Sequence, residues 1–263
     1  MPALLFFDID GTLITLDKRH VMPESTKKAL KRAKEKGHKI FINTGRVKTA
    51  IDKHLLQFGF DGLVCGCGTY IEYEGKEIFH QRISKDKCVE YAGKLHHYGF
   101  ETLYEEKDRL FIDGKYGPGT FMNFIYDYFS KNSDYPIEKT TSPDFIFDKF
   151  TTSYNDKSHI DEFEKVFGYD FNLIPHGPVV IEAVPKGYSK ATGIEFLMDK
   201  LGASVDDCYA FGDSINDMEM LEYVTHSIAM GNSVDEIFDA VEYKTTDIED
   251  NGIANALRHY GLI

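Results

Sequence analysis

The chain has 263 residues, 42% hydrophobic and 28% charged, the balance of a globular protein with room for one large domain or two modest ones. Its formal net charge of −13 argues against a nucleic-acid or anionic-membrane surface, although a few cations or a metal could still hold a small anion. No apolar run approaches the ~20 residues that span a bilayer, and Ala3–Phe7 is too short for a secretion signal, so the expected location is cytoplasmic.

Leu4–Phe7 reads as a short buried strand, apolar throughout and stopped by Asp8. Pro23 and Gly37 bracket a helix over Ser25–Lys36 with Ala29, Leu30 and Ala33 on one face. Lys39–Ile42 is a second strand, running into Asn43-Thr44-Gly45-Arg46. Val47–Phe58 reads as a helix with Ile51, Leu55 and Phe58 along one side, and Gly62–Val64 as a third strand. Such alternation implies a parallel α/β sheet.

From residue 82 to residue 184 the pattern changes. Helices over Lys85–Tyr98, Phe121–Ser130 and His159–Phe167 are interspersed with strands over Glu101–Tyr104, Arg109–Ile112, Phe147–Tyr154, Asp170–Pro175 and Val179–Pro185. Tight turns such as Glu105-Glu106-Lys107-Asp108 and Pro175-His176-Gly177-Pro178 predict an antiparallel sheet in a separate α+β unit. Strand–helix alternation then returns: a helix over Lys190–Leu201, a strand over Cys208–Phe211, a helix over Asn216–Tyr223 and a strand over Ser227–Met230. Short elements over Val234–Ala240, Tyr243–Thr245 and Ile253–Tyr260 complete the run. The expected organisation is a Rossmann-like α/β core of residues 1–81 and 185–263, interrupted by an α+β insert of residues 82–184.

Ligands of an open parallel sheet gather beyond the carboxyl ends of its strands. Asp8 and Asp10 follow the first strand, Thr44-Gly45-Arg46 the second, and Asp213-Ser214-Ile215-Asn216-Asp217 the strand over Cys208–Phe211. A fourth cluster, ending in Lys190, opens the helix after the insert. Each alone has an ordinary reading as a turn or cap. Together they converge on one rim. Asp8, Asp10 and Asp213 offer the hard oxygen ligands that Mg²⁺ prefers. Residues i and i+2 of a strand lie ~6.6 Å apart, so one ion suits one side chain plus the other residue's carbonyl, leaving the Asp10 carboxylate to move protons. Thr44 and the N–H groups around Gly45 supply neutral donors and Lys190 a point charge. These groups cradle one phosphoryl group, with a carboxylate nucleophile in line behind it.

At these residues the chain resembles the haloacid dehalogenase superfamily and, within it, the Cof-like phosphatases with a large α/β cap. "FFDIDGTL" is similar to the family's first motif, "INTGR" to its second, "KGYSKATGI" to its third and "FGDSINDMEML" to its fourth, all in order. The insert falls where that family places this cap. The resemblance implies a Mg²⁺-dependent phosphatase acting on small phosphorylated metabolites, sugar phosphates foremost, through an aspartyl phosphate. It implies Asp8 as nucleophile, Asp10 as acid/base, and metal held at Asp8, Asp10 and Asp213. Thr44, Gly45, Lys190 and Asn216 would bind the phosphoryl oxygens, and Ile9 is counted with these positions. Asp217 would support Lys190 or metal-bound water, and Arg46 is a supporting or substrate-contact position.

The expected partner is a small phosphorylated metabolite, with neither nucleic acid nor membrane, and the oligomeric state is open. A phosphomutase on the same scaffold is the alternative reading. A receiver-like phospho-acceptor is a further one, although receivers are about half this length and Asp10 would promote hydrolysis. One departure from the family pattern stands out: "GCGTYI" puts Cys67 where many relatives carry asparagine. The four cysteines are expected as reduced thiols, since Cys65-Gly66-Cys67 has no second pair to complete a zinc site. His96 and His97 are expected at the surface, and His176 as a turn residue rather than a substrate contact.

Overall fold

A computed structural model describes residues 2–114, 120–132 and 137–263, the side chains of residues 131 and 132 excepted. In chain order its strands are β1 (Leu4–Phe7), β2 (Lys39–Asn43), β3 (Gly62–Cys65), β4 (Tyr70–Tyr73), β5 (Lys76–His80), β6 (Glu101–Glu106), β7 (Arg109–Ile112), β8 (Ile137–Lys139), β9 (Lys149–Ser153), β10 (Phe171–Pro175), β11 (Val180–Pro185), β12 (Cys208–Gly212), β13 (His226–Ala229) and β14 (Tyr243–Lys244). The chain divides into two compact units. One comprises Met1–Gly45, Phe58–Ile78 and Ser189–Ile263, the other Arg46–Gln57 and Phe79–Tyr188.

The first unit is built on an eight-stranded sheet of order β14-β13-β12-β1-β2-β3-β4-β5. Pairing is parallel from β14 through to β3, and β4 turns antiparallel to β3. β1 lies at the centre, Leu4 opposite both Cys208 and Lys39. A strand covered on both faces has no side for polar groups, which is why Leu4–Phe7 is apolar at every position. Phe6 stacks on Phe41 and Phe7 on Phe211, locking β1 to both neighbours. The helix over Lys190–Leu201 begins with a capping box between Ser189 and Thr192 and ends at Gly202 in the left-handed conformation. Gly193 lets that helix lie against β3, since a Cβ there would stand 2.3 Å from Val64 Cγ1.

The parallel α/β core expected from the sequence is present. The β4–β5 hairpin was not anticipated, although its central residues Glu74 and Gly75 both have positive φ, the mark of a type I′ turn. The single helix expected over Val47–Phe58 is a correction. A 3₁₀ turn spans Lys48–Ala50 and a four-residue helix Lys53–Leu56, with Ile51 extended and Asp52 outside helical geometry between them. The Arg46 guanidinium binds the Ala50 carbonyl and the Asp52 carboxylate, which draws that carbonyl out of any helical ladder. This segment belongs to the second unit, where Val47 packs with Leu103, Leu110, Ile112 and Met122.

The second unit is a six-stranded sheet of order β10-β11-β9-β6-β7-β8, antiparallel except for the β7–β8 pair. Parallel β8 was not anticipated. The helix over Ile160–Asp170 also runs through Asp170, where a strand was expected to start. An aromatic core holds Tyr104, Phe111 and Phe150 of the sheet against Phe163, Phe167 and Tyr91 of its helices. On alternate positions the sheet carries a buried ionic cluster, Lys149 lying between Glu105 and Glu182. All four cysteines are buried thiols, and no helix among the described residues is long and apolar enough to cross a membrane.

Candidate active site

Asp8 is the first residue past β1, and its N–H donates to the Phe211 carbonyl at 3.0 Å, continuing the β1–β12 ladder. Its side chain is buried and meets the Lys190 ammonium at 2.7 Å. Lys190, only 1% exposed, also donates to Asp217 Oδ1 at 2.5 Å and reaches Asn216 Oδ1 at 3.5 Å. The other Asp217 oxygen accepts the N–H groups of Asp213 (2.9 Å) and Ser214 (3.0 Å). Gly212 makes that fold-back feasible, because a Cβ there would stand 2.6 Å from Asp217 Cβ.

The residues after Asp10 build a seat for Asp213. Thr12 donates to Asp213 Oδ1 at 2.8 Å. Gly11 has φ +81°, and a Cβ on it would lie 2.3 Å from Asp213 Oδ2. Residues 9–14 form a compact turn, with Gly11 N–H donating to the Ile14 carbonyl and Leu13 N–H to that of Ile9. Within it Ile9 is buried core and Asp10 half-buried. At the end of β2, buried Thr44 donates its N–H to the Val64 carbonyl at 2.9 Å and accepts the Cys67 N–H at 3.0 Å. Gly66, Cys67 and Gly68 all have positive φ, so Cys67 holds a conformation that asparagine adopts more readily.

Asp8, Asp10, Thr44, Gly45, Lys190, Asp213, Asn216 and Asp217 therefore all lie at the carboxyl ends of the first unit's strands or at the adjoining helix start. Arg46 falls in the second unit, its guanidinium engaged with Ala50 and Asp52. Two asparagines escaped the sequence reading. Asn232 donates to the Gly11 carbonyl at 2.8 Å and accepts the Ile248 N–H at 3.0 Å, bracing the turn after Asp8. Asn43 donates to the Lys190 carbonyl at 2.9 Å. No local signal marks either, because their partners are distant in sequence.

The site is short of positive charge. Burial pushes the Asp8 carboxyl up to about 7; Asp217 and Asp10 add to the rise, and Lys190 opposes it. Burial, with Asp8 and Asp217 beside it, pushes Asp213 up to about 8. Burial alone would lower the Lys190 ammonium, but Asp217 and Asp8 together drive it above its ordinary value. The Asp8, Asp213 and Asp217 carboxylates offer oxygens within 4.8 Å of one another, so three acids share one ammonium. Both Asp217 oxygens are already engaged by Lys190 and the loop N–H groups, so a divalent cation supplying the missing charge would sit on the hard oxygens of Asp8 and Asp213, and these donors fit one.

A second group of three lies in the other unit: His80, Glu106 and Asp148. His80 Nδ1 accepts from Arg82 Nε at 3.1 Å, which puts the ring proton on Nε2 and directs it to Asp148 Oδ2 at 2.9 Å. The Lys107 N–H donates to the same Asp148 oxygen and the Asp108 N–H to Glu106, so this cluster is matched by its own hydrogen bonds. His176 pairs with Glu182 at 2.8 Å across the hairpin bend.

Fold and site together define a Rossmann-like α/β protein with a cluster of buried acids at the ends of its central strands. The haloacid dehalogenase-like hydrolase family profile matches residues 5–257, and the chain belongs to that family, as an enzyme of its phosphatase kind. Over 269 residues it is 28% identical to the Bacillus subtilis (strain 168) protein YkrA, named as a phosphatase, covering 99% of this chain and 98% of that one. Against an HMP-PP phosphatase of Escherichia fergusonii it is 27% identical over 246 residues, 90% of this chain and 87% of that one. Its fold matches a structure from Geobacillus kaustophilus HTA426 with a TM-score of 0.87 and 27% identity, covering 100% of both chains. It also matches the subclass IIB sugar phosphatase BT4131 with a TM-score of 0.82 and 26% identity, covering 99% of this chain and 100% of that one.

Proposed function

We propose that the chain hydrolyses phosphate monoesters of small metabolites, sugar phosphates foremost, through a phosphorylated Asp8. The core expected over residues 1–81 and 185–263 is assigned as catalytic and the insert over 82–184 as its cap, with Arg46–Gln57 and the flanking residues to Phe79 and Tyr188 grouped with the cap, as the two compact units have them, in an enzyme of the cytoplasm. In the first step an Asp8 oxygen forms a bond to phosphorus as the ester P–O bond breaks, and Asp10 protonates the departing alkoxide. In the second, Asp10 takes a proton from water, whose oxygen attacks phosphorus; the acyl-phosphate P–O bond breaks, releasing phosphate and restoring Asp8. Lys190, Thr44, Gly45 and Asn216, with Ile9, bind the phosphoryl oxygens, and the Lys190 charge offsets what builds on them in transfer. Mg²⁺ held by Asp8, Asp213 and the Asp10 carbonyl would supply Lewis-acid polarisation and keep Asp8 ionised at neutral pH. Arg46 is assigned as a supporting or substrate contact.

The observation that carries this reading is Lys190 bridging Asp8 and Asp217 beside Asp213. The test is a panel of phosphorylated metabolites with Mg²⁺, run with Asp8→Asn as the blank. Phosphate release that disappears in the variant supports the assignment; metal-dependent turnover that persists overturns it. Isomerised sugar phosphate in place of free phosphate would identify the mutase.

A further inference from the structure

Asn43, the last residue of β2, is wholly buried next to Thr44. Its Nδ2 donates to the Lys190 carbonyl at 2.9 Å and reaches Met220 Sδ at 3.5 Å. Both neighbours of that nitrogen are acceptors, which fixes the orientation of the amide. Its Oδ1 has no hydrogen-bond partner. A buried acceptor without a partner lowers stability, and an apolar residue of similar volume would avoid that loss. Asparagine at this position is therefore poorly explained by stability alone.

What the amide joins is more informative. The Lys190 carbonyl belongs to the first residue of the Lys190–Leu201 helix, whose side chain meets Asp8. Two close approaches hold the same helix start against the sheet. Gly193 lies so near Val64 that a Cβ would not fit, and Gly68 stands in the same relation to the Ser189 carbonyl. Met220, the amide's other neighbour, lies in the helix that follows Asp217. One side chain thus links the end of β2, which leads into Thr44, the helix start carrying Lys190, and the helix after Asp217.

We propose that Asn43 is a positioning residue for the oxyanion site, fixing the Lys190 turn against the end of β2 so that Lys190 and Thr44 keep a constant separation. The inference rests on the phosphoryl-binding role given above to those two residues. Asn43→Leu removes the donor and the unpaired oxygen together. Asn43→Asp keeps the shape but sets an acceptor against the Lys190 carbonyl. Tungstate, a phosphoryl-group mimic, serves as the probe, with affinity read by calorimetry in Mg²⁺ buffer and stability by thermal melting.

Asn43→Leu is expected to melt at or above the wild-type temperature and to bind tungstate about tenfold more weakly. Asn43→Asp is expected to bind more weakly still. KM for p-nitrophenyl phosphate should rise with the tungstate dissociation constant. A purely structural role would move stability and leave tungstate affinity alone. Tungstate affinity within twofold of wild type in Asn43→Leu overturns the proposal, and in Asn43→Asp does so if the leucine variant fails to fold. Should wild type itself fail to bind tungstate, the oxyanion-site reading falls, and that outcome is distinct from equal binding by wild type and variants.

Discussion

Asp217 grips the Lys190 ammonium with one carboxylate oxygen and, with the other, the backbone N–H groups of Asp213 and Ser214. One buried acid therefore orients the cation of the site and the loop that presents Asp213. Asp217→Asn keeps the shape but withdraws the charge that raises Lys190. The expected result is a fall in kcat/KM of roughly 10–100-fold, read by steady-state kinetics. An unchanged value would mean that Asp8 alone suffices to hold Lys190.

Without a divalent cation, stability should depend on pH in a definite direction. Asp8 and Asp213 titrate near 7 and 8 when folded, both from a usual value of 3.8. Between those limits the folded chain holds more protons than the unfolded one. Stability from these groups is therefore present at acid pH and lost as pH rises through the folded values. In EDTA the melting temperature should be lower at about pH 8 than at about pH 6. Mg²⁺ should raise it more at the higher pH, where fewer protons compete for the carboxylates. A larger Mg²⁺ effect at the lower pH would contradict this electrostatic account.

Thr12 touches Asp213 through its hydroxyl and nothing in the proposed chemistry directly. Thr12→Val should raise the Mg²⁺ concentration needed for half-maximal activity by about 10–100-fold, the usual cost of losing a ligand's hydrogen-bond partner. At saturating Mg²⁺, kcat should largely recover. A loss of kcat that Mg²⁺ cannot restore would place Thr12 in the reaction itself.

In the second unit, Lys149 lies 3% exposed between Glu105 and Glu182. Burial works against the Glu182 charge, but Lys149 and His176 bring its carboxyl down to about 2. Lys149→Met leaves two buried carboxylates without their cation and should destabilise the protein by about 3–5 kcal/mol near pH 8. The deficit should shrink near pH 5, where the stranded carboxyls can take up protons. Denaturant titrations at the two values check both size and sign.

The residues of the candidate site are legible in the sequence because they fall in short runs at strand ends. Asp8, Lys190, Asp213 and Asp217 stand together as the motif order implied. Strands buried on both faces were equally legible, since Leu4–Phe7 and Cys208–Gly212 are nearly unbroken apolar runs. Long-range hydrogen bonding was not. Val47–Phe58 has helical spacing, yet Arg46 and Asp52 interrupt it through a contact that periodicity does not register. Asn43 and Asn232 look like ordinary turn residues until their partners at Lys190 and Gly11 are located. The β4–β5 hairpin turns on Glu74-Gly75, which lacks the Asn-Gly or Asp-Gly pair that is the strongest hairpin signal in a sequence.

Central β1 has a consequence for synthesis. Asp8 leaves the ribosome 182 residues before Lys190, and the β12 partner of its strand follows later still. At ordinary elongation speeds of about 5–20 residues per second, that delay is roughly 10–40 s. Through that interval one edge of an entirely apolar strand stays unpaired, with its aspartate presented to solvent. The nascent chain is thus open to misassociation at the segment that becomes the centre of the sheet. The cluster of Asp8, Lys190, Asp213 and Asp217 cannot assemble before synthesis has passed Asp217.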